Sequence, residues 1–332
     1  MNTISKTRPH RVWLLCAALG CSGGSATPPH TSANREGEPL NVSLQCRPLD
    51  TSSSHFALVV LGSGGPRSFG RASSGYAVLV DGRPRLLVDV GPGTFLRLGE
   101  LDLDLDALDT VLLTHLHVDH AGELPGFVKA RDLARNALTR FRIVGPDGDQ
   151  LYPSTSRFID RLFGDQGAFA YLPSFSGELR FSVTDLPTSG STEPREVLEE
   201  DGIRVQAIAV DHGNAPAVAY RVERGGHALV VSGDLASKDS RLARLAAGAD
   251  LLVYDTSVLD PPGSTESLYD LHTPPRRIGE VATEAHARSL LLSHLTGRTE
   301  DHAAEVLSSV RTTYQGEVRF ALDCMKVELS SP

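Results

Sequence analysis

Apolar and polar positions follow two periods along the chain, and each change of period marks an element. Ala57–Leu61 is an unbroken apolar run closed by Gly62-Ser63-Gly64-Gly65-Pro66, which reads as a buried strand and a turn. Tyr76–Val80 and Arg85–Val90 flank Asp81-Gly82, a hairpin signature because Asp and Gly accept the positive φ that a two-residue turn demands. Further strand-like runs lie at Asp109–Thr114, Phe141–Val144, Leu179–Thr184, Ile203–Val210, Ala217–Val222, Ala228–Ser232, Leu251–Tyr254, Leu290–Ser293 and Val318–Leu322, the last closing the chain. Helical spacing predicts helices over Leu124–Leu138, Thr155–Phe163, Ser240–Ala247, Thr273–His286 and Glu300–Val310. Apart from Thr155–Phe163, residues 145–178 carry little pattern. Residues 186–200, with Pro187, Gly190, Pro194, Glu196, Glu199 and Glu200, read as an exposed loop or insert. Strands mixed with helices in each half predict an α/β fold, two sheets packed face to face with helices outside.

The first residues break this picture. Lys6, Arg8 and Arg11 precede the short apolar run Val12–Leu19, which cannot span a bilayer as a helix. Small residues and Cys21 follow, so residues 1–21 resemble a bacterial lipoprotein signal, with Cys21 as the lipidated residue. Two positions depart from that pattern: Ala18 stands where Leu is favoured and Leu19 where a small residue is. Residues 22–54 are rich in Ser, Thr, Pro and Gly and cannot bury a core, so they read as a tether ahead of one domain over 55–332. The expected location is the periplasm or the cell envelope, held by a lipid anchor. Cys46 and Cys324 either pair in such a compartment or remain thiols; both readings stand at this level. The formal net charge of −9 over 332 residues disfavours a long nucleic acid, whose phosphates are held by neutralising cations.

The chemistry concentrates in Thr114-His115-Leu116-His117-Val118-Asp119-His120, directly after an apolar strand. Three imidazoles and a carboxylate suit a borderline cation such as zinc. At a strand end His115 and His117 point the same way, while Asp119 and His120 fall on the turn into the next helix.

This stretch resembles the metallo-β-lactamase superfamily, whose mark is His-x-His-x-Asp-His. Asp89-Val90-Gly91, Val210-Asp211-His212, Ser232-Gly233-Asp234 and Leu292-Ser293-His294 resemble its other site elements, in the same order and each at a strand end. Leu61–Pro66 and the run His115–Pro125 (His-x-His-x-Asp-His-x-Gly-Glu-Leu-Pro) are similar to the branch with ribonuclease Z and related arylsulfatase- and phosphodiesterase-type enzymes. The resemblance implies a four-layer αββα sandwich and two divalent cations, zinc first and manganese second. It places His115, His117 and His212 on one cation, Asp119, His120 and His294 on the other, and Asp234 between them. A water shared by two such cations ionises near neutral pH, and the hydroxide is the implied nucleophile, oriented by Asp119. Asp89 is expected behind a ligand histidine. His272 takes the place of a leaving-group acid, although His272-Thr273-Pro274 departs from the branch's His-Ser-Thr. His227, His286 and His302 read as surface residues.

The expectation is therefore an exported hydrolase of a small phosphodiester or sulfate ester. Two alternatives accompany it: a cyclic-nucleotide phosphodiesterase, and a metal- or ligand-binding lipoprotein without catalysis. Expected partners are a small-molecule ester, no long nucleic acid, the membrane through Cys21, and a second copy in a homodimer. Only 22 positions separate His212 from Asp234, room for two strands and a turn but not for a protruding RNA-gripping arm.

Overall fold

The computed structural model describes residues 46–67, 70–133, 138–190 and 193–329. The leader over 1–21, the tether as far as residue 45, and 134–137 of the expected helix Leu124–Leu138 lie outside them. In chain order the strands are β1 Phe56–Gly62, β2 Gly75–Val80, β3 Arg83–Val90, β4 Thr110–Leu112, β5 Thr139–Pro146, β6 Leu179–Leu186, β7 Arg195–Glu200, β8 Ile203–His212, β9 Ala215–Arg224, β10 His227–Val231, β11 Leu251–Asp255, β12 Ser289–Ser293, β13 Glu317–Phe320 and β14 Lys326–Glu328. The helices are α1 Thr94–Glu100, α2 Val118–Ala121, α3 Leu124–Leu133, α4 Thr155–Phe163, α5 Pro173–Ser176, α6 Leu242–Leu245, α7 Pro275–Glu284, α8 Gly297–Asp301 and α9 Ala303–Arg311.

The strands form two seven-stranded sheets, in the orders β14-β1-β2-β3-β4-β5-β6 and β13-β12-β11-β10-β9-β8-β7. Each sheet is antiparallel on one side and parallel on the other. β3 to β6 run parallel in the first, and β10 to β13 in the second. Both faces of each sheet are covered, which explains the continuous apolar runs. Along β1, Leu58 and Val60 enter the core between the sheets, while Ala57, Val59 and Leu61 pack under the outer helices with Leu98, Phe127 and Ile159. Along β8, Val205 and Ala207 face inward, while Ile208 and Val210 face Leu242, Ile278 and Val310. The result is the expected αββα sandwich.

Four expectations need correction. Residues 186–200 are not only loop: β7 pairs antiparallel with β8 as an edge strand. Its sequence REVLEE has too few apolar residues to read as a strand, because an edge exposes most of its side chains. A closing strand, β14, pairs with β1 after the expected last strand. Glu300–Val310 is two helices, α8 and α9, meeting at His302. The segment expected as tether is bound to the domain from residue 46: Cys46 is bonded to Cys324, and Leu49 N donates to Leu101 O at 3.0 Å.

The candidate active site

The expected ligands lie just beyond the carboxyl ends of strands or on the short helix that follows β4, on the rim where the two sheets meet, as ligands do in open α/β sheets. β4 delivers His115 and His117, and α2 starts at once, presenting Asp119 and His120. His212 ends β8, Asp234 follows β10, and His294 follows β12. Two close approaches make this possible. A Cβ on Gly91 would lie 2.0 Å from Asp119 O, so only glycine lets the motif loop rest on the end of β3. Gly233 has φ 60°, and a Cβ there would meet the Thr114 Cβ at 2.8 Å.

The structure brings all seven side chains together. The facing atoms of His115, His117 and His212 lie within 4.8 Å of one another, as do those of Asp119, His120 and His294. His117 Nδ1 is 3.0 Å from His115 Nε2 and 3.3 Å from His212 Nε2. His294 Nε2 is 3.0 Å from His120 Nε2 and 3.2 Å from Asp119 Oδ2. Asp234 stands between the groups: Oδ1 is 3.4 Å from both His120 Nε2 and His294 Nε2, and Oδ2 is 3.8 Å from His212 Nε2. No helix N-terminus claims Asp234, because α6 begins only at Leu242.

The ring nitrogens facing away from the cluster have partners of their own. His120 Nδ1 lies 2.7 Å from Asp89 Oδ2, and Asp89 also accepts from Thr114 N and Oγ1. His212 Nδ1 lies 2.8 Å from Leu271 O. His294 Nδ1 lies 2.6 Å from Ser257 Oγ, which donates to Asp255 Oδ1. His117 Nε2 lies 3.1 Å from the Tyr152 hydroxyl. Asp89 and His294 hold positive φ, 59° and 54°, a strained conformation for these residue types that their buried partners enforce.

The electrostatics are those of a cation site. Burial, joined by neighbouring imidazoles, pulls His115 well below its ordinary value and lowers His117. Burial also lowers His212, against the pull of Asp234. Burial opposes the charge on His120 too, but Asp234 and Asp89 outweigh it and push the ring up to about 10. His294 is raised well above its ordinary value, Asp234 outweighing burial. Despite burial, the imidazoles hold Asp234 well below the carboxylate range. Asp234 Oδ1 is buried and accepts no hydrogen bond from the described residues, a rare state for a carboxylate oxygen. A donor set of imidazole nitrogens and carboxylates around such an atom fits two borderline divalent cations.

His272 lies at the edge, 13% exposed, with Nδ1 2.7 Å from Asp255 Oδ2 and 3.9 Å from Asp234 Oδ2. Burial would lower its pKa, but Asp255 and Asp234 raise it. Asp255 itself escaped the sequence reading, although it ends an apolar run just as Asp89 nearly ends its own. Tyr152 carried no signal at all, because its place depends on the fold of a loop. His286 and His302 are exposed, as expected, while His227 is half-buried.

Fold and site together define a metal-dependent hydrolase. The chain belongs to the metallo-β-lactamase superfamily: the family model "Beta-lactamase superfamily domain" matches residues 84–295. Its relatives include ribonuclease Z of Thermobifida fusca, 30% identical over 314 aligned positions, covering 82% of this chain and 95% of the relative. Ribonuclease Z of Mycobacterium bovis is 27% identical over 296 positions, covering 82% and 98%. Among solved structures, the short form of human tRNase Z superposes with a TM-score of 0.65 at 21% identity, over 83% of this chain and all of that one. These relatives overturn the expectation that excluded a long nucleic acid, since they are named for RNA. Expected export, net charge and the short spacing from His212 to Asp234 were weak grounds for it. Net charge sums the whole surface, whereas phosphate binding depends on cations at one place.

Proposed function

We propose that this protein is a phosphodiesterase that works with two divalent cations, zinc first, and that RNA is among its substrates. The convergence of His115, His117 and His212 beside Asp119, His120 and His294, with Asp234 between, carries this reading. Two cations held there would supply Lewis acidity toward the phosphoryl oxygens and toward a water. The residues of the chain do the rest. Asp119, 13% exposed in its side chain, is placed to accept a proton from the attacking water. Asp89, Ser257 and the carbonyl of Leu271 fix the ring orientations that the ligand atoms need. Asp255 holds His272 through Nδ1, leaving Nε2 to hand a proton to the leaving oxygen.

The test is hydrolysis of bis-p-nitrophenyl phosphate, p-nitrophenyl sulfate and a 3′-extended transfer RNA by the full chain with zinc or manganese. Phosphodiester cleavage is expected, and Asp119→Ala and His294→Ala should each abolish it. A chain that binds two cations and cleaves only the sulfate, or nothing, would sink the proposal. We also propose that the protein is exported. The basic and apolar leader supports this, as does the disulfide between Cys46 and Cys324, a bond that persists in oxidising compartments. Recovery of the chain in the cytoplasm with both thiols free would refute it.

A further inference from the structure

The outer nitrogens of four ligand histidines are held by groups inside the fold: Asp89 for His120, Ser257 with Asp255 for His294, the Leu271 carbonyl for His212, and Thr114 Oγ1, 3.1 Å from Nδ1, for His115. His117 differs. Its outer partner is Tyr152, on the loop between β5 and α4, with the hydroxyl 3.1 Å from Nε2. His117 presents Nδ1 to the site, where it faces His115 Nε2 and His212 Nε2. A lone pair at Nδ1 leaves the ring proton on Nε2, so His117 donates and the tyrosine oxygen accepts.

The loop is built to hold that oxygen. Asp149 Oδ1 accepts from Leu151 N and Tyr152 N, both at 2.7 Å, and Asp149 N donates to Tyr152 O at 3.0 Å. The turn is pinned on both sides. Asp147 N donates to Leu186 O at 2.8 Å, and Ser154 caps α4 by accepting from Arg157 N. Leu151, beside the tyrosine, is 75% exposed, so the turn lies at the surface and reaches the site through Tyr152.

We propose that Tyr152 is a positioning residue for the cation held by His115, His117 and His212. It fixes the tautomer and ring plane of His117, and the Asp149 turn makes cation retention depend on the conformation of a surface loop. This rests on the reading that His117 holds a cation through Nδ1. Loss of such an outer partner typically weakens metal affinity by ~10- to 100-fold.

The experiment is a zinc titration of the full chain against a chromophoric chelator, with imidazole N–H signals followed by NMR on ¹⁵N-histidine-labelled zinc protein. Tyr152→Phe should weaken one of two zinc ions by about 10-fold or more and expose the His117 Nε2–H to rapid solvent exchange. Asp149→Ala keeps the hydroxyl but frees the turn, and should show both effects in weaker form. The melting curve of each variant, taken with zinc saturating, identifies any loss of fold. If the native chain binds two zinc ions while both variants match it in affinity and in the His117 signal, the role of Tyr152 is refuted. A native chain that binds no zinc would refute the reading of the site, and this inference with it.

Discussion

Residue by residue, the site is a set of imidazoles divided by their carboxylates. His272 tests the division of labour directly. Held by Asp255, it is proposed to serve a leaving group that needs a proton. His272→Ala should lower kcat on an RNA or alkyl phosphodiester by roughly 100-fold or more. On bis-p-nitrophenyl phosphate the same variant should lose far less, because nitrophenolate leaves unprotonated. An equal loss on both would move His272 from proton donor to structural residue. The metal-free protein should also carry the signature of its histidines in stability against pH. His120 and His294 are raised in the folded state, so their contribution is complete below the ordinary histidine value. It fades as pH rises, for His120 through about 10. His115, His117 and His212 are lowered, so they act in the opposite sense and cost stability as pH falls below the ordinary value. Metal-free protein should therefore be most stable near the ordinary histidine value and weaken on both sides. Thermal melts in chelator across that range check it; a maximum displaced well into the alkaline range would contradict the assignment.

At the scale of elements, the two sheets are pinned together just behind the ligands. Tyr220 of β9 is fully buried, and its hydroxyl donates to Leu113 O at 2.9 Å, with Val144 O at 3.3 Å. Val218 N donates to Thr114 O at 2.9 Å, one residue before His115. Tyr220→Phe removes the hydroxyl and leaves a buried carbonyl unpaired, which should cost about 1–3 kcal/mol in urea unfolding. A neutral result would show that the Tyr220 hydroxyl adds nothing to the joining of the sheets. The elements that resisted reading share one cause. β7 exposes most of its length, and β14 is three residues long. Neither buries enough side chains to impress an alternating pattern on the sequence.

For the whole molecule, the disulfide joins positions 278 residues apart and ties the segment before β1 to the loop before β14. Asp323, next to Cys324, accepts from Ser63 N and Ala72 N, and so shapes the loop that passes His294. Replacing Cys46 and Cys324 together by Ser should destabilise the chain by ~2–4 kcal/mol, read from denaturant unfolding under oxidising conditions. An unchanged midpoint would mean that the packing of the segment, not the bond, sets its place.

Four of the candidate ligands are legible in the amino-acid sequence because each closely follows an apolar run, and the other three stand within five residues of His115. A strand buried on both faces has to be apolar throughout, so the polar residues just after it stand out, and His115, His212, Asp234 and His294 each fall there. The two-sheet architecture is legible for the same reason. Asp255 carries that same mark at the end of β11, and only its contacts with His272 and Ser257 give it a role. Tertiary structure alone decided the rest. It paired β7 and β14 at the sheet edges, closed Cys46 on Cys324, and set Tyr152 against His117. Each of these joins segments whose local patterns are weak, and each depends on distances between parts of the chain that sequence order does not contain.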